Sequence, residues 1–400
     1  RQHAQNSASA TRLTAPSPRL TLLCANTFSA LPSRVVRARR RGTGDMSVPV
    51  KGDGLEKGVH VKFAHLEGRS ALRYAPDGKS IVTCGADTLL KIFEAANFKA
   101  EPKTVEYHKD AITTLAIHPK GGFVATGSED NAVNYLQFPS GEFEKLIARS
   151  QHTVRHVSFD AKGRFLAVGL DDGIIKVFRV QDPKHHSILK GHEETVLCVA
   201  FDPKGEYLAS SSADGTVRLW DMRSNPKTIK TISTSSRALA DSAQMLRVAW
   251  HPKGDGLALP HGTGVEVLER ETWKAMSSLR GGHTREVSLI SWCANGRYLC
   301  TAGLDKQLFV WDLSSAEELD RYKAESLCCD LMWSPKDNAL AFIDVDGQLG
   351  LWQQPVPKHY PAPFGDAIGA HAAPVAAAAN PSALPAAPDT AGWEAAAAED

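Results

Sequence analysis

The sequence has no uninterrupted apolar run of about 18 residues, which excludes a chain that crosses a membrane several times as helices. It has no phosphate-binding loop, zinc knuckle or nucleophile elbow, the short motifs that most directly announce an enzyme. Ser224-Asn225-Pro226-Lys227 matches SxxK but lacks the companion motifs of that site. His185-His186 has no third ligand at metal spacing and reads as a solvated turn. No CxxC pair occurs among the seven cysteines, Cys24, Cys84, Cys198, Cys293, Cys300, Cys328 and Cys329. An odd, scattered set on apolar segments is expected to be reduced and buried, as in an intracellular protein. Neither catalysis nor a cofactor or metal is therefore expected.

Charge of one sign is also scarce, with a formal balance of +1 over 400 residues. Its distribution is uneven. Residues 1–45 hold eight arginines, no lysine and one acid, Asp45, or 8 − 1 = +7. The remainder carries 46 − 8 = 38 basic and 45 − 1 = 44 acidic side chains, or −6. A mildly acidic body binds nucleic acid poorly without specificity, because that affinity comes from neutralising phosphates. With 42% hydrophobic and 23% charged residues, the chain can bury a large core.

Neither end reads as part of that core. Residues 1–57 form a basic extension expected to be disordered. Its Arg34-Val35-Val36-Arg37-Ala38-Arg39-Arg40-Arg41 fits a transit peptide or a nuclear-localisation patch. A third reading makes Met46, the first methionine, the true start. Residues 354–400 read as an Ala/Pro-rich linker or tail. Seventeen of residues 361–400 are alanine, and prolines interrupt them often enough to prevent one long helix. The last residues, Glu399-Asp400, close no element, as in a piece of a longer protein.

Between these ends one unit recurs seven times. Alternating stretches end at Phe93, Leu136, Phe178, Trp220, Leu268, Trp311 and Trp352, spaced by 43, 42, 42, 48, 43 and 41 residues. Six residues before each stand Asp87, Asp130, Asp172, Asp214, Gly262, Asp305 and Asp346. A histidine precedes four of those aspartates by 22 residues: His65, His108, His192 and His283. Each unit also carries a turn such as Pro203-Lys204-Gly205 between β-branched and aromatic runs, the pattern of a small antiparallel sheet.

A period near 42 with Gly191-His192 ahead of Trp220-Asp221 is the WD40 signature. The fold expected is all-β, a seven-bladed WD40 β-propeller over residues 58–353 with disordered tails. Radial closure leaves few exposed sheet edges. The last unit is one strand short, and Val59-His60-Val61-Lys62-Phe63 is expected to complete it. The resemblance to WD40 families implies that each turn aspartate binds its histidine, and that a strand hydroxyl passes the bond to the tryptophan. His192, Asp214 and Trp220, with one of Ser210, Ser211 or Ser212, form the fullest set. His283, Asp305 and Trp311 follow.

Propellers host many unrelated functions, so the departures from a generic blade carry the information. Blade five lacks both histidine and aspartate and reads Leu257-Ala258-Leu259-Pro260-His261-Gly262-Thr263-Gly264-Val265-Glu266-Val267-Leu268. Blade seven ends Phe342-Ile343-Asp344-Val345-Asp346-Gly347-Gln348-Leu349-Gly350-Leu351-Trp352. With His65-Leu66-Glu67-Gly68 and Ile81-Val82-Thr83-Cys84-Gly85, these segments resemble the N-terminal propeller of the chromosome transmission fidelity protein 4 family. Its animal members are called acidic nucleoplasmic DNA-binding protein or WD repeat and HMG-box DNA-binding protein. The likeness spans roughly residues 58–353 and favours Met46 as the start.

That resemblance implies a nuclear adaptor at the replication fork, linking the replicative helicase to DNA polymerase α–primase on chromatin. It also implies roles in repair and sister-chromatid cohesion. Association with DNA would then be indirect and no membrane partner is expected. Full-length members trimerise through parts absent from this chain, so a chain of this extent is expected to be monomeric. A rival reading rests on Trp220-Asp221-Met222-Arg223, which resembles the WDxR box of substrate receptors for cullin–RING ubiquitin ligases. An unspecified WD40 scaffold is the third alternative. Partner contacts are expected on the narrow end, through Arg69, Glu129, Asp171, His261 and Glu286. A second candidate surface is the inter-blade connection Arg223–Lys230, with Arg223, Lys227 and Lys230.

Overall fold

The structure, a computed structural model, describes residues 59–98, 100–234 and 246–364. The extension before residue 59, Cys24 within it, and the tail after residue 364 lie outside the described residues. So does part of the 48-residue interval between blades four and five. Among the described residues there are 28 strands and no helix. They form seven four-stranded antiparallel sheets, the blades of a β-propeller.

Six blades are consecutive runs, β2–β5, β6–β9, β10–β13, β14–β17, β18–β21 and β22–β25 (Ala71–Tyr74 through Glu317–Lys323). The seventh is assembled from both ends of the described chain. Its strands β26 (Cys328–Trp333), β27 (Ala339–Asp344) and β28 (Gln348–Gln353) are completed by β1 (Val59–Phe63). β1 lies antiparallel on β28, with Val59 opposite Trp352 and Phe63 opposite Gln348. Ala64 and His65 then donate their backbone N–H groups to Gly347 O at 2.8 and 3.2 Å. Gly347 has φ +74°, and a Cβ there would stand 2.1 Å from His65 O, so the contact that pins the first strand needs glycine. Innermost strands touch in sequence around the axis, and β2 meets β26 to shut the ring.

Blade faces bury alternating apolar side chains against the next blade, as period-2 patterning requires. The six cysteines in the described residues are all buried and unbridged. Burial raises the Cys84, Cys198, Cys293, Cys300, Cys328 and Cys329 thiols, leaving them protonated and inert.

The expectation of a connection over Arg223–Lys230 is corrected. Lys227–Ser233 is β17, the outermost strand of blade four, paired with β16 from Thr216 to Asp221. One face of an edge strand meets water, so Lys-Thr-Ile-Lys-Thr-Ile-Ser shows little of the apolar alternation that marks an inner strand. After β28, residues 355–364 lie along blades seven and six. Asn338 Nδ2 donates to Val356 O at 2.7 Å, and Tyr298 Oη to Pro361 O at 2.8 Å.

Candidate functional site

The repeated histidines and aspartates meet inside single blades. In blade four His192 Nδ1–H donates to Asp214 Oδ2 at 2.9 Å, and Nε2 lies 2.8 Å from Ser210 Oγ. Trp220 Nε1–H donates to the same Ser210 oxygen at 2.9 Å, so Ser210 is the hydroxyl of this set. An ionised carboxylate can only accept, which puts the imidazole proton on Nδ1 and leaves Nε2 to accept from the hydroxyl. Burial lowers the His192 pKa and favours this neutral ring. The Asp214 carboxyl is pulled down against its own burial by hydrogen bonds from Thr216 and His192.

Blade six repeats this relay with His283 Nδ1 3.0 Å from Asp305, Nε2 2.8 Å from Thr301, and Trp311 Nε1 3.0 Å from Thr301. Blades one and two hold shorter versions, His65–Asp87 with Thr83 and His108–Asp130 with Thr126. Phe93 and Leu136 stand at the tryptophan position of these blades, and their side chains have no N–H to donate to the hydroxyl. Each aspartate also accepts backbone N–H groups of its turn, as Asp214 does from Glu193 and Thr216. The hydroxyl residues of these relays, Thr83, Thr126, Ser210 and Thr301, are at most 1% exposed and tie the strands and turn of one blade together.

Blades three, five and seven depart from that plan. Asp172 accepts Ile174 N–H, and the exposed His152 stands at the surface 3.5 Å from it and 3.3 Å from Asp171. Asp346 does not hold the place expected of it, because its side chain faces solvent. Asp344, two residues earlier and 3% exposed, accepts the N–H groups of Asp346 and Gln348 instead. Burial and the nearby Asp346 and Glu325 carboxylates push Asp344 up to about 6. Trp352 is fully buried, but Phe342 occupies the position ten residues before it where blades four and six hold a hydroxyl. Its ring lies 5.7 Å from that of Tyr322.

The expected partner-binding residues fall into two separate groups. Arg69, Glu129, Asp171, His261 and Glu286 ring the end where the inner strands begin. There the turns bond to the loops before the inner strands, as Glu129 N does to Ala111 O and Leu304 N to Glu286 O. Arg223, Lys227 and Lys230 sit on the outside of blade four, Arg223 and Lys227 at the opposite end. Arg223 is held by its own blade, with Nε and Nη2 on Asp221 at 3.0 and 2.7 Å. That hydrogen bonding raises the Arg223 pKa. Lys230 donates to Trp273 O of blade five at 2.8 Å, and Lys227 is exposed.

The residues that single-blade reasoning missed lie in the central channel. A bulge falls on the second residue of β6 (Ile112–Ile117), β10 (Val154–Phe159), β14 (Val196–Phe201), β22 (Val287–Trp292) and β26, at Thr113, Arg155, Leu197, Ser288 and Cys329. A bulge turns two adjacent side chains away from strict alternation, so each of these five inner strands offers a pair to the channel. Asp330, 0% exposed, is the centre of the plug they make. Its Oδ2 accepts Arg73 Nη1 at 2.6 Å, Arg247 Nη2 at 3.0 Å and Leu72 N at 3.1 Å. Arg247 Nη1 and Leu331 N serve Oδ1. One carboxylate of blade seven thus clasps blades one and five. Arg247 and Arg73 hold it below the ordinary carboxylate range despite complete burial. The sequence signal was available but ambiguous, since charged residues opening Arg-Tyr, Arg-Val and Asp-Leu strands look like solvated edges.

The family model described as the WDHD1 first WD40 domain matches residues 62–351. Over 297 residues the chain is 31% identical to WD repeat and HMG-box DNA-binding protein 1 of Xenopus laevis, covering 73% of this chain and 26% of that protein. It is 37% identical over 287 residues to Protein ENHANCER OF LHP1 1 of Arabidopsis thaliana, covering 71% and 30%. Minichromosome loss protein 1 of Schizosaccharomyces pombe is 27% identical over 301 residues, covering 74% and 36%. The chain spans about a quarter to about a third of the length of these relatives. With seven blades, the closing strand and this match over most of its length, the chain belongs to the WDHD1 first-WD40-domain family.

Proposed function

We infer that the propeller is a non-catalytic interaction platform in DNA replication. In this reading it is part of a nuclear adaptor that links the replicative helicase to DNA polymerase α–primase on chromatin, with roles in repair and sister-chromatid cohesion. The observation that carries the reading is the family match over residues 62–351, with relatives whose names speak of DNA binding and minichromosome loss. The site geometry agrees with it. The relays are buried within single blades, and exposed charges lie on the ends and outer strands where another protein can reach them.

The experiment is cross-linking capture from nuclear extract with the 400-residue chain, followed by identification of what is retained. Polymerase α, primase or replicative-helicase subunits are the expected catch. Recovery of a cullin–RING adaptor in their place, lost on Arg223→Ala, would overturn the reading in favour of a ligase substrate receptor. Arg223 is already engaged by Asp221, so the substitution is expected to leave capture of replication proteins unchanged.

A further inference from the structure

Four arginines, Arg69, Arg73, Arg155 and Arg247, point to the channel or its mouth, and among the described residues two carboxylates pair with them. Asp330 is shared by Arg73 and Arg247, and the exposed Glu129 stands 3.7 Å from Arg155. Arg73 and Arg247 against Asp330 leave one positive charge, and Arg69 and Arg155 against Glu129 leave another at the mouth. Arg69 and Arg155 are neighbours, since Arg69 Nη2 donates to Arg155 O at 3.1 Å. Burial, then the charges of Arg155 and Arg247, push Arg69 down to about 10. Like charges crowded in a partly desolvated place favour an anion beside them.

A second observation is independent of charge. Arg155 Nε, His156 Nε2 and Ser70 Oγ are buried polar atoms without a hydrogen-bond partner. Ser70 and His156 are 2% and 8% exposed. Val199 N–H donates to His156 Nδ1 at 3.3 Å, so the other ring nitrogen, Nε2, carries the proton. Burial and the surrounding arginines keep that ring neutral. Each of these three groups can donate. Unpaired buried donors cost free energy that an acceptor would recover.

We propose that the channel mouth is an oxyanion site, made by Arg69, Arg155, His156 Nε2–H and Ser70 Oγ–H, for one carboxylate or phosphate on an extended segment of a partner protein. The inference rests on reading the propeller as a binding platform. Arg69, Ser70 and His156 themselves line, with Arg247 and Asp330, a cavity of about 20 Å³, which is too small for a phosphate, so the anion sits at its opening and nothing threads the ring. Acidic side chains on the same rim, Glu129, Asp171 and Glu286, disfavour a polyanion such as DNA, whose phosphates recur along its whole length. A single anionic group reaches the arginines between them.

The test uses the 400-residue chain and inorganic phosphate at constant ionic strength. Phosphate is expected to raise the wild-type melting temperature by about 2 °C. Arg69→Gln and Arg155→Gln should abolish the rise while circular dichroism shows the folded sheet. Arg149→Gln, an exposed arginine on blade two, should retain it. A degenerate peptide library with a fixed central phosphoserine, aspartate or asparagine then separates the two sources of oxyanion. Capture of the phosphoserine or aspartate pool, about tenfold or more weaker in Arg155→Gln, supports the site. No shift in wild type, an equal shift in Arg155→Gln, or binding of a DNA oligonucleotide in preference to peptides overturns it. If the mouth fails these tests while replication proteins are still captured, the platform stands and only the oxyanion site falls.

Discussion

Blade four carries its own polar spine, running from Asp214 through His192 and Ser210 to Trp220, whereas blade seven has neither the histidine nor the hydroxyl. Its carboxylates work outward. Asp330 reaches across the channel to Arg73 and Arg247, and Gly347 O accepts from Ala64 and His65, just past the strand supplied by residues 59–63. Blade five follows the second plan. Arg270, 8% exposed, donates to Asp202 at 2.6 Å and Glu206 at 2.5 Å of blade four, and lies over the Tyr207 ring. A blade without an internal relay is thus tied by charge to its neighbours. Local order and ring order are interchangeable means of holding a four-stranded sheet.

The sharpest way to break the comparison is Asp330→Ala. It leaves two buried guanidinium groups without their carboxylate and releases blades one, five and seven together. A loss of about 3–5 kcal/mol in unfolding free energy is expected, measured by chemical denaturation. A change under 1 kcal/mol would show that the clasp is dispensable.

Next in size is Asp214→Ala, which strands the His192 donor and the turn N–H groups of Glu193 and Thr216. About 3 kcal/mol should be lost. Asp346→Ala, at the same repeat position in blade seven, removes an exposed carboxylate and should cost no more than about 0.5 kcal/mol. Equal losses at the two sites would mean that blade seven does use its turn aspartate.

The pH dependence sharpens the contrast because the two blades have opposite signs. In blade four the folded Asp214 pKa is lowered, so its stabilisation is present above the unfolded value near 3.8 and is lost as pH falls. Burial also lowers His192, whose unfolded form takes up protons below about 6.5, so the relay weakens in the same direction. In blade seven the folded Asp344 pKa is raised to about 6. Its contribution is therefore most favourable below the unfolded value and declines as pH rises through about 4 to 6. Asn keeps the single oxygen that accepts from Asp346 and Gln348 and has no charge to lose. Asp344→Asn should gain about 2 kcal/mol over wild type at pH 7 and nothing below pH 4, as thermal melts across that range would register. A gain that does not depend on pH would refute the assignment.

The contrast also marks what the sequence could reveal. Blade number, turn positions and the borrowed strand followed from the 22- and six-residue offsets and from the missing strand of the last unit, because relays and hairpins join residues close in sequence. Arg73, Arg247 and Asp330 sit 83 to 257 residues apart and share one carboxylate only once the ring has closed. No offset within a repeat announces that meeting. The Lys227–Ser233 strand was hidden for a different reason, since one solvated face erases the alternation by which strands are recognised. Asp346 misled because the repeat offset fixes a place in the chain and not a degree of burial. Asp344 holds the interior place.

The borrowed strand also sets the timing of synthesis. Residues 59–63 leave the ribosome almost three hundred residues before β28, their only neighbour in the sheet, and must wait unpaired while six blades form. Until then the nascent protein is an open arc with two raw edges, and translation must pass Gln353 before the circle can be drawn shut.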